Sequence, residues 1–548
     1  MKRGMQFTGM VLMSVLAGAP SVTVAQTTQP ARPNIVVILA DDIGYSDIGC
    51  FGSEIRTPHI DSLARQGVAF TQFYNQARCC PTRAALLTGL YPHQVGIGAM
   101  IDGYAERERT AANSPAYQDH LSTNAPTMAE VLRSAGYRTY MAGKWHLGRR
   151  PDEWPVKRGF DRSFVQINGA MNYYGSSSDG PPEPMAVDDQ PFTPPHDGFY
   201  STDAFTDHAV EYIDEASKQS KPFFLYLAYN ASHWPLQAPR ADIEKYAGTY
   251  NTGFQVMREQ RLQRMIDLGI LPAGSGMAPM DRGNVRGWRD MNDEQQHDWR
   301  GRMEVYAAQT DHMDQQIGRV LKELDRQGIA DNTLVLFVSD NGGAAEDPNR
   351  GKPGSEIGTR DSYRGYGRPW ASVSNTPWRR HKVTAYEGGI STPLLVRWPA
   401  GIPQALRGTH IGSPGHVIDL MPTVAELASI ALPLKPDQLA PEGHSILPLL
   451  KGQPDPASPR TYCWEHEGNR AIRTGDWKLV MNNDEPGGWK LYDIAKDRLE
   501  QTDLAQTNPE VVAKLSGTWD AWAGRVGVQP WTKLQQARQG AATTQAVH

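Results

Sequence analysis

The sequence predicts an α/β protein: a large mixed, mostly parallel sheet flanked by helices, followed by a smaller C-terminal α+β domain containing an antiparallel sheet. Three observations predict it. Nearly continuous apolar, β-branched runs recur between residues 34 and 339, the pattern of strands buried on both faces. Helical patterns separate them, which is the alternation of parallel βαβ units. Past the helical stretch His416 to Ala428 the texture changes to Pro- and Gly-punctuated loops and short, closely spaced segments.

Taken in order, Asn34 to Ala40 (NIVVILA) is the first buried strand, and similar runs follow at Val68 to Tyr74, Arg138 to Ala142, Phe223 to Tyr229 and Thr333 to Ser339. Helices are expected at Pro58 to Gln66, Thr82 to Thr88, Thr127 to Ser134, Ala204 to Ser217 and from about Met303 to Arg326. Short segments at Thr461 to Glu467, Arg470 to Thr474, Trp477 to Met481 and Trp489 to Asp493 read as an antiparallel meander, with a helix near Pro509 to Arg525. Two stretches, about 100–122 and 241–298, are polar and weakly patterned, either surface insertions or loops lining a substrate. The boundaries that follow are 33–445 for the larger domain, 446–534 for the smaller one and 535–548 for a flexible tail.

The N-terminus carries its own signal. Lys2 and Arg3 precede an apolar stretch from Phe7 to Ala19, and Thr23-Val24-Ala25 supplies small residues, the pattern of a secretory signal peptide cut after Ala25. The apolar stretch is shorter than the ~20 residues a membrane span needs, so an exported, periplasmic or secreted product is expected, with no stable membrane insertion. Residues 26–32 are then a linker. With 55 Lys and Arg against 60 Asp and Glu, the formal charge is −5 and no long run of like charge suggests a nucleic-acid partner. Four cysteines, Cys50, Cys79, Cys80 and Cys463, are too few to staple 548 residues, and the adjacent pair is poorly placed to bridge itself.

Sheets of this kind carry ligands beyond the carboxyl ends of their strands. Those ends here are Ala40-Asp41-Asp42, Gly143-Lys144-Trp145-His146, Asn230-Ala231-Ser232-His233 and Ser339-Asp340-Asn341-Gly342. Asp41, Asp42, Asp340 and Asn341 together offer an oxygen cluster suited to calcium or magnesium, although one carboxylate alone would serve equally as a helix or turn cap. Lys144 and His146 alternate along an extended chain and so point the same way. His233 and Lys382 are isolated and weaker signals. Cys79 stands at the start of a helix with Arg83 one turn on, a setting that lowers a thiol pKa, while its alternative is a small residue packed under the strand.

The stretch "ARCCPTRAALLTGLYPHQVG" settles which family the chain resembles. Cys79-Cys80-Pro81-Thr82-Arg83 followed by Leu87-Thr88-Gly89 is similar to C-x-P-S/T-R…TG, the signature of type I, formylglycine-dependent sulfatases, and the whole resembles bacterial arylsulfatases. In this frame Cys79 takes the first position and Cys80 the variable one. Further blocks in family order are "RPNIVVILADDIGYSDIGCFGSEIRTPHIDSLARQGVAFTQFY", "AGYRTYMAGKWHLG", "FFLYLAYNASHWPLQAP", "LVLFVSDNGG" and "YEGGISTPLLVRWPAGI", with "RTGDWKLV" and "LYDIAKD" in the C-terminal part.

The resemblance implies an alkaline-phosphatase/sulfatase-like fold and a sulfuric ester hydrolase acting on small-molecule or carbohydrate sulfate esters. It implies that a maturation enzyme oxidises Cys79 to Cα-formylglycine. Asp41, Asp42, Asp340 and Asn341, with the modified Cys79, would bind one Ca2+. Arg83 would orient the aldehyde hydrate, Lys144 and Lys382 would neutralise sulfate oxygens, His233 would protonate the leaving oxygen, and His146 would contact the hydrate. One hydrate hydroxyl would attack sulfur and the other would expel sulfate, a release that a plain serine lacks. A phosphonate monoester or phosphodiester hydrolase on the same site is the enzymatic alternative, and an anion-binding module without turnover the non-enzymatic one. Tyr173, Tyr174, Trp288 and Trp299 would either stack on the leaving group or pack within their own loops.

Overall fold

The computed structural model describes residues 32–101, 110–430, 432 and 434–537, with isolated positions 1, 4, 6 and 9. The expected leader, the linker up to Arg32 and the tail beyond residue 537 otherwise fall outside the described residues, and residues 531–537 are helical. Among the described residues no helix is long and apolar enough to cross a membrane.

Eleven strands form the large sheet: β1 (Asn34–Ala40), β2 (Val68–Tyr74), β3 (Arg138–Lys144), β4 (Arg162–Gln166), β5 (Met185–Val187), β6 (Gln190–Phe192), β7 (Phe223–Ala228), β8 (Thr333–Ser339), β9 (Ser391–Arg397), β10 (Thr409–Ile411) and β11 (Gly415–His416). They run in the order β10-β2-β9-β8-β1-β7-β3-β4-β5-β6, with β11 also on β2. The central strands β8, β1, β7, β3 and β4 are mutually parallel. β9 runs antiparallel between β8 and β2 and makes the sheet mixed.

Strand alternation divides the core into two layers. Ile35, Val37 and Leu39 join one apolar cluster with Leu336 and Tyr226, while Val36, Ile38 and Ala40 join the other with Val335 and Leu225. Both faces are therefore covered, as the unbroken apolar runs require. The covering helices include α1 (Pro58–Gln66), α2 (Cys79–Thr88), α3 (Met128–Ser134), α4 (Ser201–Ser217), α5 (Gly253–Asp267), α6 (Asp293–Arg326), α7 (Gly367–Ser374) and α8 (Leu420–Leu427). Four strands, β12 (Thr461–His466), β13 (Asn469–Thr474), β14 (Trp477–Met481) and β15 (Lys490–Asp493), form the C-terminal antiparallel sheet, with α9 (Pro509–Val526) packed against it.

Several elements differ from expectation for identifiable reasons. The helix expected from Met303 begins ten residues earlier, at Asp293, inside a stretch read as unpatterned. Its first turns carry no apolar period because they are solvent-facing, yet a capping box marks the start: Asn292 Oδ1 accepts from Gln295 N at 2.9 Å and Gln295 Oε1 from Asn292 N at 3.1 Å. Helix α5 lies in the same stretch. α2 begins at Cys79 and not at Thr82, because Pro81 is tolerated in a first turn. β9 was not among the expected strands, since Pro393 interrupts its short run.

Candidate active site

The strand order explains why four separated sequence signals converge. β8, β1, β7 and β3 are neighbours, so their carboxyl ends bring Asp340-Asn341, Asp41-Asp42, the loop to His233 and the Lys144–His146 segment to one place. Asp42 (φ 63°) and His146 (φ 55°) adopt left-handed backbone conformations there, an uncommon geometry held by the surrounding fold. α2 points its N-terminus at the same place. All ten of its residues are buried, and Thr82 Oγ1 donates to the Asp340 carbonyl at 2.6 Å, fixing the helix to the end of β8.

Ion pairs organise the centre. Lys144 Nζ lies 2.5 Å from Asp41 Oδ2, and Lys382 Nζ 2.7 Å from Asp42 Oδ1. The Arg83 guanidinium donates to Asp340 Oδ2 at 2.8 Å and to the Lys144 carbonyl at 2.9 Å, and passes 3.4 Å from Asp41. Asn341 Nδ2 donates to Asp42 Oδ1 at 2.6 Å. His233 Nε2 is 3.6 Å from Asp42 Oδ2, and its Nδ1 is 2.6 Å from the Trp234 carbonyl. A carbonyl only accepts, so the imidazole carries a proton on Nδ1.

The Cys79 thiol sits amid these groups. Burial opposes its ionisation, but Lys144 and Lys382, with hydrogen bonds from His146 and His233, hold it well below the usual thiol range. Cys80 lies instead in the apolar core, with its sulfur 3.6 Å from Met100 Sδ. None of the four cysteines is paired in a disulfide.

The donor set is of a kind that holds a metal ion. Asp41, Asp42, Cys79 and His233 each place a ligand-type atom within 4.8 Å of the others. Among the described residues no donor meets the buried oxygens Asp41 Oδ1 and Asn341 Oδ1. Burial and the neighbouring Asp340 raise the Asp41 pKa to about 7 against Lys144, His233 and Arg83. Asp340 is raised too, first by burial and then by the charge at Cys79. Buried, crowded carboxylates and an amide oxygen without a donor are surroundings that a cation satisfies.

A cavity of about 580 Å³ opens onto Cys79, His146 and His233 and is walled further out by Arg78, Trp234, Arg350 and Tyr363. Sequence reading missed this outer wall. Trp234 was findable, because it follows His233 directly and its ring centroid lies 4.4 Å from the imidazole. Arg350 and Tyr363 lie in the irregular segment between β8 and α7, where no periodicity marks them. Glu346, in the same segment, pairs with Arg78 at 2.9 Å and approaches Lys382 at 3.8 Å.

The four aromatic residues considered for stacking are used in packing. Tyr173 donates its hydroxyl to the carbonyls of Asn230 (2.6 Å) and His233 (2.9 Å), and so braces the loop carrying His233 from beneath. Tyr174 donates to the Ala238 carbonyl at 2.9 Å. Trp288 and Trp299 pack edge-on against Phe254.

Comparison with known proteins gives a consistent answer. Residues 33–430 match the sequence model of the family described as Sulfatase, and residues 379–518 match that described as N-sulphoglucosamine sulphohydrolase, C-terminal. An uncharacterized sulfatase of Schizosaccharomyces pombe is 35% identical over 91% of this chain and 94% of its own length. An arylsulfatase of Klebsiella aerogenes is also 35% identical, over 76% of this chain and 90% of its own. The solved structure of Ps i-CgsB in complex with k-i-k-neocarrahexaose is similar with a TM-score of 0.66 at 27% identity, covering 90% of this chain and 93% of that one.

Proposed function

The chain belongs to the sulfatase family and is a sulfuric ester hydrolase, and on that premise we propose that it is an exported enzyme hydrolysing aryl or carbohydrate sulfate monoesters through Cys79, converted to Cα-formylglycine, beside one calcium ion. The observation that carries this reading is the setting of the Cys79 thiol, at a helix N-terminus with two lysines and two histidines acting on it. That is a place built for an anion in transfer. The relatives' printed names support both kinds of leaving group, one being an arylsulfatase and one a complex with neocarrahexaose. Export is supported by Lys2, Arg3, the apolar stretch after them and the small residues ending at Ala25.

Asp41, Asp42, Asp340 and Asn341, with the modified Cys79, would hold the ion, which when bound supplies a Lewis-acidic centre for a sulfate oxygen. The hydrated aldehyde supplies two geminal hydroxyls, one to attack sulfur and one to release sulfate. Lys144 and Lys382 are buried ammonium groups on either side, placed to meet negative charge on the remaining sulfate oxygens. His233 has one proton committed to the Trp234 carbonyl through Nδ1, so it is as the imidazolium, with a second proton on Nε2, that it protonates the leaving oxygen and returns to the neutral Nδ1–H form. His146, in contact with the Cys79 side chain, is placed to take the proton of the releasing hydroxyl. Arg83, anchored on Asp340 and on the end of β3, orients the nucleophile.

The test is the mass of the tryptic peptide Cys79–Arg83 from protein made in its own host. A loss of about 18 Da confined to Cys79, with capture by an aldehyde-reactive probe, is the expected result. An unmodified thiol at Cys79 in fully active protein would overturn the mechanism.

A further inference from the structure

The outer part of the cavity points to the chemistry of the leaving group, an inference that rests on the sulfatase reading above. A second cavity of about 570 Å³ adjoins the first, and Arg350 and Tyr363 belong to the walls of both. From His233 the wall is continuous: Trp234 lies against the imidazole at 4.4 Å between centroids, and Tyr363 lies 5.8 Å from Trp234. Arg350 stands next, at the joint between the cavities. An aromatic path therefore leads from the group placed at the leaving oxygen to a guanidinium.

That guanidinium differs from its basic neighbours. Arg78 is 2.9 Å from Glu346, Lys352 is 2.8 Å from Asp179, and Arg360 lies over the Tyr174 ring at 5.7 Å. Among the described residues the exposed Arg350 side chain has no ion pair or hydrogen bond. Its backbone is nevertheless fixed. Arg350 N donates to the Tyr363 carbonyl at 3.0 Å and Lys352 N to the Asp361 carbonyl at 2.9 Å. Between them Gly351 allows the two arms of the loop to touch, since a side chain there would meet Tyr363 N at 2.6 Å and Asp361 O at 2.7 Å. A held backbone presenting an uncommitted planar cation is suited to bind an oxyanion in two-point fashion.

We propose that the enzyme selects extended leaving groups carrying a second oxyanion, sulfate or carboxylate, which Arg350 grips at the joint of the two cavities while the intervening ring lies along Trp234 and Tyr363. The cavity volume agrees with this, being in the range that holds more than a single sulfated ring.

The test compares wild type, Arg350→Gln and Arg350→Lys on three substrates: 4-nitrophenyl sulfate, a disulfated disaccharide and a monosulfated disaccharide containing a uronate. In Arg350→Gln the ratio of kcat/KM on an anionic disaccharide to that on 4-nitrophenyl sulfate should fall about tenfold, mainly through KM, with partial recovery in Arg350→Lys. Whichever disaccharide shows the fall identifies the second anion. An unchanged ratio for both would overturn the subsite while turnover of 4-nitrophenyl sulfate kept the sulfatase reading intact. Failure of modified wild type to cleave any of the three would overturn both.

Discussion

Asp41 and Glu387 are equally buried carboxylates, yet they titrate in opposite directions. Burial lifts both. At Asp41 the nearby Asp340 adds to burial and the surrounding cations do not offset the sum, so its pKa stands at about 7. At Glu387 the cations Lys478, Arg498 and Arg473 outweigh burial and bring it to about 2. Hydrogen bonding shows the same contrast. Glu387 Oε1 accepts from Lys478 at 2.8 Å, and its Oε2 from Arg498 at 2.8 Å and the Tyr74 hydroxyl at 3.1 Å. Asp41 Oδ1 accepts from no donor among the described residues. Around Glu387, where β2, β14 and the segment carrying Arg498 meet, both oxygens of that carboxylate are met by donors of the chain, and the neighbouring Glu500, raised to about 7 by burial and by Glu387, takes the place of the less compensated acid. At the strand ends an acceptor is left for a group from outside the described residues, and a buried acceptor of that kind is worth about 1–3 kcal/mol when it is met.

The strongest way to break this comparison is Asp41→Asn. The amide keeps the shape and removes charge from a site that has too little neutralisation, so the chelator-treated protein should melt within about 3 °C of wild type. Activity should fall at least about a thousandfold, and the rise in Tm on adding calcium should vanish. Activity assays and calorimetry with and without calcium decide it. A large loss of stability in chelator would mean that Asp41, like Glu387, is a structural ion.

Lys478→Met is the converse. Lys478 Nζ lies 2.8 Å from both Glu387 Oε1 and Glu500 Oε1, and its removal strands two buried acids. The expected cost is about 3–5 kcal/mol in denaturant unfolding. Per folded molecule, kcat/KM should stay within about twofold, because no group at the strand ends is touched. A selective loss of kcat would show that the C-terminal sheet positions the active site and does more than close it.

How far each cluster could be read from sequence follows from what holds it. The strand-end groups were legible because each follows a buried β-branched run, and because parallel order brings such ends together: Asp41, Asp340, Lys144 and His233 are contributed by four adjacent strands. The cavity's outer wall was not, since Arg350 and Tyr363 are joined only by loop hydrogen bonds that leave no period. Nor was the Glu387 cluster, in which Lys478, Arg498 and Tyr74 lie 91, 111 and 313 residues from Glu387 in a chain with many charges, so that pairing is visible only after both sheets have formed. Tyr173 shows the limit from the other side. Its place in an insertion left stacking on a leaving group and packing within the loop both open, and its hydroxyl is used by the His233 loop.

The smallest expected effect belongs to a buried cation that lies between these extremes. His312 on α6 places Nδ1 2.7 Å from Asp242 Oδ2 and Nε2 2.7 Å from Asp203 Oδ1, joining α6 to α4 and to the segment 240–244. Burial disfavours its charge, but hydrogen bonds to Asp203 and Asp242 prevail and raise its pKa to about 9. A raised histidine contributes its full stability below the unfolded value, near 6.5, and loses it as pH rises through 9. Because the Asp203 side chain is 41% exposed, the contribution should be on the order of 2 kcal/mol and not the full shift. The gap in unfolding free energy between wild type and His312→Gln should therefore be largest near pH 6 and close to zero by pH 10. A gap that stays constant with pH would mean that His312 acts by its shape and neutral hydrogen bonds.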